Sequence, residues 1–221
     1  MLESPKNKNV LVLAAHPDDE TLGAGGAIAK LSEAGGNIQL LTFTDGVGAR
    51  DNQEENRNPS LSKVSKILGI TKYSSADFPD NAMDSIYLLE LCKFIEQNVE
   101  TTPDLIFTHN SDDLNIDHQL VFKATLTAFR PQDVNGHQIY SYYVPSSTDY
   151  NPLSSFNGFS YFKLTSTEVN KKLQALRVYD QEMKDFPHSR SYENVENLMK
   201  SWGSEAGCRY CEKFQLIREV V

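Results

Sequence analysis

The chain has 221 residues, 39% of them hydrophobic and 23% charged, with a formal net charge of −9. That length supports one substantial core, and the composition is that of an ordinary soluble globular protein. The acidity disfavours non-specific binding to nucleic acid, and no apolar run approaches the roughly 20 residues that span a bilayer.

The polar N-terminus, MLESPKNKN, lacks the apolar centre of a signal peptide, so cytoplasmic residence is the default expectation. Three cysteines exclude an even disulfide framework. Cys92 reads as a small buried helix residue. Cys208 and Cys211 form a CxxC with no second pair and no neighbouring histidine. That leaves half a zinc site, a redox pair or a chance pairing on a core segment.

Along the chain, Asn9–Ala14 is a continuous apolar run and predicts a buried strand. Thr21–Ala34 has helical spacing and stops at Gly35-Gly36. Ile38–Phe43 reads as a second strand, Ser60–Leu68 as a helix and Lys72–Phe78 as a third strand. A helix over Ser85–Val99, a strand over Leu105–Thr108, a helix over Asp117–Phe129 and a strand over Gln138–Val144 follow. Repeated βα units imply an α/β fold, a mostly parallel sheet with helices on both faces. After residue 145 the pattern changes to a turn-rich stretch, with helical spacing over Lys171–Met183 and Tyr192–Trp202. No linker composition intervenes. Residues 1–221 therefore read as one domain, with 1–145 the βα core and 146–221 an appendage.

Ligands of such sheets bind beyond the carboxyl ends of the strands. Polar clusters fall at those ends: HPDDE (16–20), TDGVGARD (44–51), DFPDNAMDS (77–85) and THNSDDLNIDH (108–118). Carboxylates packed that densely repel one another and need compensation, for which a metal cation is the natural candidate.

His16 and Asp19, three residues apart on a loop entering a helix, present imidazole and carboxylate to one side. A third ligand is offered by His109, Asp112, Asp113, Asp117 and His118; His118, beside a carboxylate at a helix start, is the choice. Three protein ligands leave an open position for water, the mark of a catalytic site. Asp18, between two ligands, is placed to take a proton as general base. Asp117 suits the orienting of an imidazole, and Glu20 suits the helix N-terminus.

Blander readings compete with these. HPDDE can be a plain helix cap, although the NIDH element at another strand end argues against it. Asp112 and Asp113 read as caps and solvated turn residues. His109 is balanced between a satisfied strand-end histidine and a site role. PHSRS (187–191) suits a rim element. Gly23, Gly25 and Gly26 have the wrong spacing for a dinucleotide fingerprint. Trp202 and Tyr140, Tyr142 and Tyr143 read more readily as packing than as sugar-stacking residues.

AHPDDETLGAGG followed by an NIDH element strongly resembles the N-acetylglucosaminyl-phosphatidylinositol de-N-acetylase family, the LmbE-like deacetylases. TDGVGARD with Arg57 and LGI, FPDNAMDS and KKLQALRVYDQEM support the resemblance, which is best over residues 9–130. It implies a Rossmann-like three-layer α/β fold and one divalent metal per chain, zinc or another ion such as Fe2+. It also implies hydrolysis of the acetamido group of an N-acetylated amino sugar, releasing acetate and a free amine. His16, Asp19 and His118 are then the metal ligands and Asp18 the base. Many members read HPDH where this chain reads NIDH, so Asn115 replaces a histidine thought to polarise the carbonyl or protonate the leaving amine. An amide donates a hydrogen bond to an oxyanion but supplies no proton. Either Asp18 returns the proton or His109 moves in.

Arg50 and Arg57 are candidates for gripping phosphate or sugar hydroxyls, weighed against surface pairing with Asp51, Glu54 or Glu55. The expected partner is a small N-acetylated sugar, with no nucleic acid and no membrane; a homo-oligomer follows only by analogy. Hydrolysis of another small amide or a phosphate ester, or sugar binding without turnover, are the competing functions. Loops 45–60, 77–85 and 145–160 are the expected seat of specificity.

Overall fold

A computed structural model describes residues 7–46, 58–131, 136–153 and 156–220. Arg50 and Arg57, and with them most of the loop after the second strand, lie outside the described residues.

The first strand, β1 (Asn9–Ala14), leads through HPDD into helix α1 (Asp19–Glu33), then β2 (Asn37–Thr42) and α2 (Asn58–Leu68). β3 (Lys72–Ser75), α3 (Leu88–Asn98), β4 (Leu105–Thr108), α4 (Ile116–Ala128) and β5 (Gln138–Tyr142) continue the alternation. β6 (Ser160–Leu164), α5 (Ser166–Val178), α6 (Tyr192–Glu205) and β7 (Tyr210–Arg218) complete the described strands and α-helices. The strands form one sheet in the order β3-β2-β1-β4-β5-β7-β6. The first five pair in parallel, and β7 joins β5 and β6 antiparallel.

Alternation along β1 divides the core. Val10, Val12 and Ala14 face one cluster with Leu22, Ile28, Leu61 and Leu176, while Leu11 and Leu13 face another with Leu91, Ile95 and Val121. The result is a three-layer α/β sandwich with a mostly parallel sheet, as the βα repetition predicts. The strand order reverses between β1 and β4, and a crevice opens at such a point. HPDDE and the NIDH loop leave these two adjacent strands.

Two strands were not expected. β6 and β7 belong to the segment read as a helical appendage, yet they extend the sheet. β7 contains Glu212, which is fully buried, so its sequence YCEKFQLIR does not look like a core strand. The charge is matched in three dimensions. Lys172 of α5 donates from Nζ to Glu212 Oε1 at 2.6 Å and to the Leu22 carbonyl at 2.7 Å. The same carboxylate accepts the backbone N–H groups of Gly26 and Ala27 at 2.9 and 2.6 Å. This ion pair is sealed inside the molecule and clasps α1 from the side.

The GAGG stretch of α1 is explained by packing. A Cβ on Gly23 would lie 2.2 Å from Tyr142 Cδ2. The Tyr142 hydroxyl, in turn, donates to the Leu13 carbonyl at 2.7 Å. Gly23→Ala is therefore expected to destabilise the fold by about 1–3 kcal/mol through overpacking, measured by urea unfolding.

Candidate metal centre

Asp18 starts α1 with φ 129° and ψ −28°, a conformation a side chain rarely adopts. Strain of this kind is maintained where the surroundings dictate it, often at functional sites. Here Glu20 reaches back and accepts the Asp18 N–H at 3.0 Å. Glu20 also accepts the Thr21 and Tyr179 hydroxyls at 2.6 and 3.1 Å. Burial pushes its carboxyl up to about 7. Glu20 lies in the first turn of α1, as expected, but it is fully buried and braces the loop. Asp18 makes no side-chain capping bond, so HPDD is not a plain helix cap.

That turn and the first turn of α4 point three ligand atoms at one spot. His16 Nδ1 and Asp19 Oδ2 are 3.1 Å apart, His118 Nε2 and Asp19 Oδ2 3.2 Å, and His118 Nε2 and His16 Nδ1 3.4 Å. Tetrahedral donors at the usual 2.0–2.2 Å from a cation are separated by roughly 3.3–3.6 Å. The triad therefore fits one small divalent ion, and the residues are those named from spacing.

Both imidazoles are oriented from behind. His16 Nε2 lies 3.1 Å from Asp117 Oδ2 and 3.1 Å from Asp80 Oδ1. His118 Nδ1 lies 3.1 Å from Asp113 Oδ2. With the rear nitrogens protonated, the forward nitrogens present lone pairs. Asp117 itself accepts the Asn81 and Met83 N–H groups at 2.7 and 3.0 Å. The Asp113 carboxylate takes the hydroxyls of Ser147 and Thr148. The site favours positive charge. Burial opposes protonation of His118, but Asp19 and Asp113 outweigh it and hold the ring up at about 9. His16 is likewise raised by its carboxylates against burial.

Asp113 corrects the reading of that position as a solvated turn residue: it is completely buried behind His118. An aspartate in an SDD turn looks like a cap, and only the approach of Ser147 and Thr148 from after β5 gives it another setting. Asp113→Asn is expected to weaken metal binding by about 10–100-fold, measured by competition with a chromogenic chelator.

Asp18 Oδ2 accepts from Arg190 Nη1 at 3.1 Å, and Glu182 lies 3.8 Å from the same nitrogen. Arg190 falls in the PHSRS stretch, but its pairing with Asp18, 172 positions away, has no signal in the sequence. PHSRS does form a rim, with His188 Nδ1 accepting the Arg190 N–H at 3.0 Å. Asn115 caps α4 through Oδ1, which accepts the Asp117 N–H at 2.8 Å, while Nδ2 donates to Asn81 Oδ1 at 2.9 Å. His109 lies behind the triad. It is fully buried, stacked on His118 with ring centroids 3.8 Å apart, and its Nε2 accepts the Ala15 N–H at 2.8 Å. Its Nδ1 has no hydrogen-bond partner among the described residues.

A pocket of about 530 Å³ opens over the triad, within the usual size of small-molecule sites. Its floor is His16, Asp18, Asp19 and His118, and its walls include Asn81, Asn115, Tyr150 and Lys184. Loops 77–85 and 145–160, two of those read as the seat of specificity, supply lining residues. Trp202 and Tyr140, Tyr142 and Tyr143 are not among the lining residues; Tyr150 is.

A mostly parallel α/β sheet with a histidine–carboxylate triad at its switch point defines an α/β protein with a candidate metal centre. The model of one family, GlcNAc-PI de-N-acetylase, matches residues 11–129, and the chain belongs to that family. It is 31% identical over 153 residues to an uncharacterized deacetylase of Escherichia coli K12, YaiS, across 64% of this chain and 77% of that one. It is also 34% identical over 83 residues to the diacetylchitobiose deacetylase of Thermococcus kodakarensis, covering 34% of this chain and 31% of the relative. In fold it is similar to N,N'-diacetylchitobiose deacetylase from Pyrococcus horikoshii, with a TM-score of 0.76 at 21% identity over 98% of this chain and 87% of the other.

Proposed function

We propose that the chain is a metal-dependent N-deacetylase acting on an N-acetylated amino sugar or its conjugate, releasing acetate and a free amine. The observation that carries this reading is the convergence of His16 Nδ1, Asp19 Oδ2 and His118 Nε2 within 3.4 Å of one another, beside the Asp18 carboxylate in an open pocket. Family membership and the diacetylchitobiose deacetylase relative support the choice of an acetamido sugar. Imidazole and carboxylate ligands suit zinc, and Fe2+ accepts the same set.

When bound, the ion acidifies water and polarises the acetamide carbonyl, the two demands of amide hydrolysis. Asp18 takes the proton of the attacking water. Arg190 fixes the direction of that carboxylate. Asn115 retains an N–H to offer the developing oxyanion at the pocket wall. His109 is buried behind His118, so the proton that Asp18 has accepted is the one returned to the departing amine.

The test is release of primary amine from N-acetylglucosamine and N,N'-diacetylchitobiose by the zinc-loaded protein. Amine release that a chelator abolishes and zinc restores is the expected result. Release unaffected by full metal removal would overturn the reading.

A further inference from the structure

Outside the pocket, Cys208 and Cys211 bring two sulfurs within 3.1 Å of each other across the turn that joins α6 to β7. The turn is well defined. Gly207 takes a positive φ of 71°, and the Cys208 N–H donates to the Gly203 carbonyl at 2.8 Å. Gly203 leaves the space this needs, since a Cβ there would meet the Cys208 carbonyl oxygen at 2.8 Å. Cys208 is partly exposed and Cys211 is buried in β7. A metal site is disfavoured, because the three-donor groups among the described residues include neither cysteine.

We propose that Cys208 and Cys211 are a reversible dithiol–disulfide site, oxidised by a low-molecular-weight disulfide that enters at Cys208. The sulfurs need to approach by roughly 1 Å to reach bonding distance. In the first step the Cys208 thiolate attacks the external disulfide, giving a mixed disulfide and one released thiol. In the second, Cys211 loses its proton to solvent and attacks the Cys208 sulfur, expelling the second small thiol. Two protein thiols are oxidised and one external disulfide is reduced to two thiols. Burial pushes the Cys211 thiol up to about 12, with the neighbouring Cys208 adding to the rise. The neighbour's contribution falls away once Cys208 is in the mixed disulfide. Cys92 lies in the core cluster on the α3–α4 face of the sheet and takes no part.

The experiment incubates the folded, full-length chain with glutathione disulfide, then measures intact mass and counts alkylatable thiols after denaturation. The wild type should lose two hydrogen atoms, fall from three thiols to one, and return to three with dithiothreitol. Cys211→Ser should stop at a stable glutathione adduct, and Cys208→Ser should gain neither adduct nor internal disulfide. Wild-type protein that keeps three thiols, retains glutathione or forms chain-to-chain dimers would overturn the proposal. The wild-type readout stands alone should the buried Cys211→Ser variant not fold.

Discussion

Asp18→Asn should lower kcat by about 10²–10⁴-fold, the usual contribution of a positioned general base, while metal content stays unchanged. The two halves of this result are separable because Asp18 is not one of the three converging donors. It sits among them in sequence but turns its Oδ2 to Arg190 at 3.1 Å. Asparagine keeps the shape and can still contact the pocket, but it accepts no proton. The loss should fall on kcat, with KM changed little. Steady-state amine release and elemental analysis of the same preparation check both. A variant that turns over at the wild-type rate would remove Asp18 from the mechanism; one that loses its metal would make it part of the binding set.

The second large effect is on stability. Lys172→Met should lower stability by about 3–5 kcal/mol, because the Glu212 carboxylate is then left buried without its counter-charge. For a chain of this size that is a fall in Tm of about 6–20 °C. The pair is sealed on all sides, with Lys172 at 1% and Glu212 at 0% exposure. Glu212 keeps two backbone N–H donors, from Gly26 and Ala27, which moderate but do not remove the charge. The double variant Lys172→Met/Glu212→Gln should recover part of the loss, which a double-mutant cycle by thermal unfolding measures. A single variant within about 2 °C of wild type would show that the pair is not desolvated as described.

The first half of the fold was legible because its strands are pure apolar runs and its loops carry the acids. Val10–Leu13 cannot be anything but buried, and HPDDE directly after it marks the strand end where ligands gather. His16, Asp19 and His118 could be named from spacing because two of them are local to one turn and the third opens a helix. The features that were not legible depend on contacts between distant segments. Asp113 is indistinguishable from a turn aspartate until Ser147 and Thr148 arrive from after β5. PHSRS reads only as a rim, and the pairing of its Arg190 with Asp18 exists only in three dimensions. β7 was hidden by Glu212, a charge no core strand would carry without Lys172 and the open backbone of α1. The glycines of GAGG could be separated from a nucleotide motif, but their purpose, admitting Tyr142 and Leu164, required the packed helix.

The first measurement is metal stoichiometry, by elemental analysis of wild-type protein and His118→Ala prepared side by side with zinc. It needs no substrate. The expected result is about one ion per wild-type chain, retained through gel filtration, and its loss in the variant, where a three-donor site is cut to two. Wild-type protein that emerges without metal after reconstitution, or a variant that holds as much as the wild type, would contradict it.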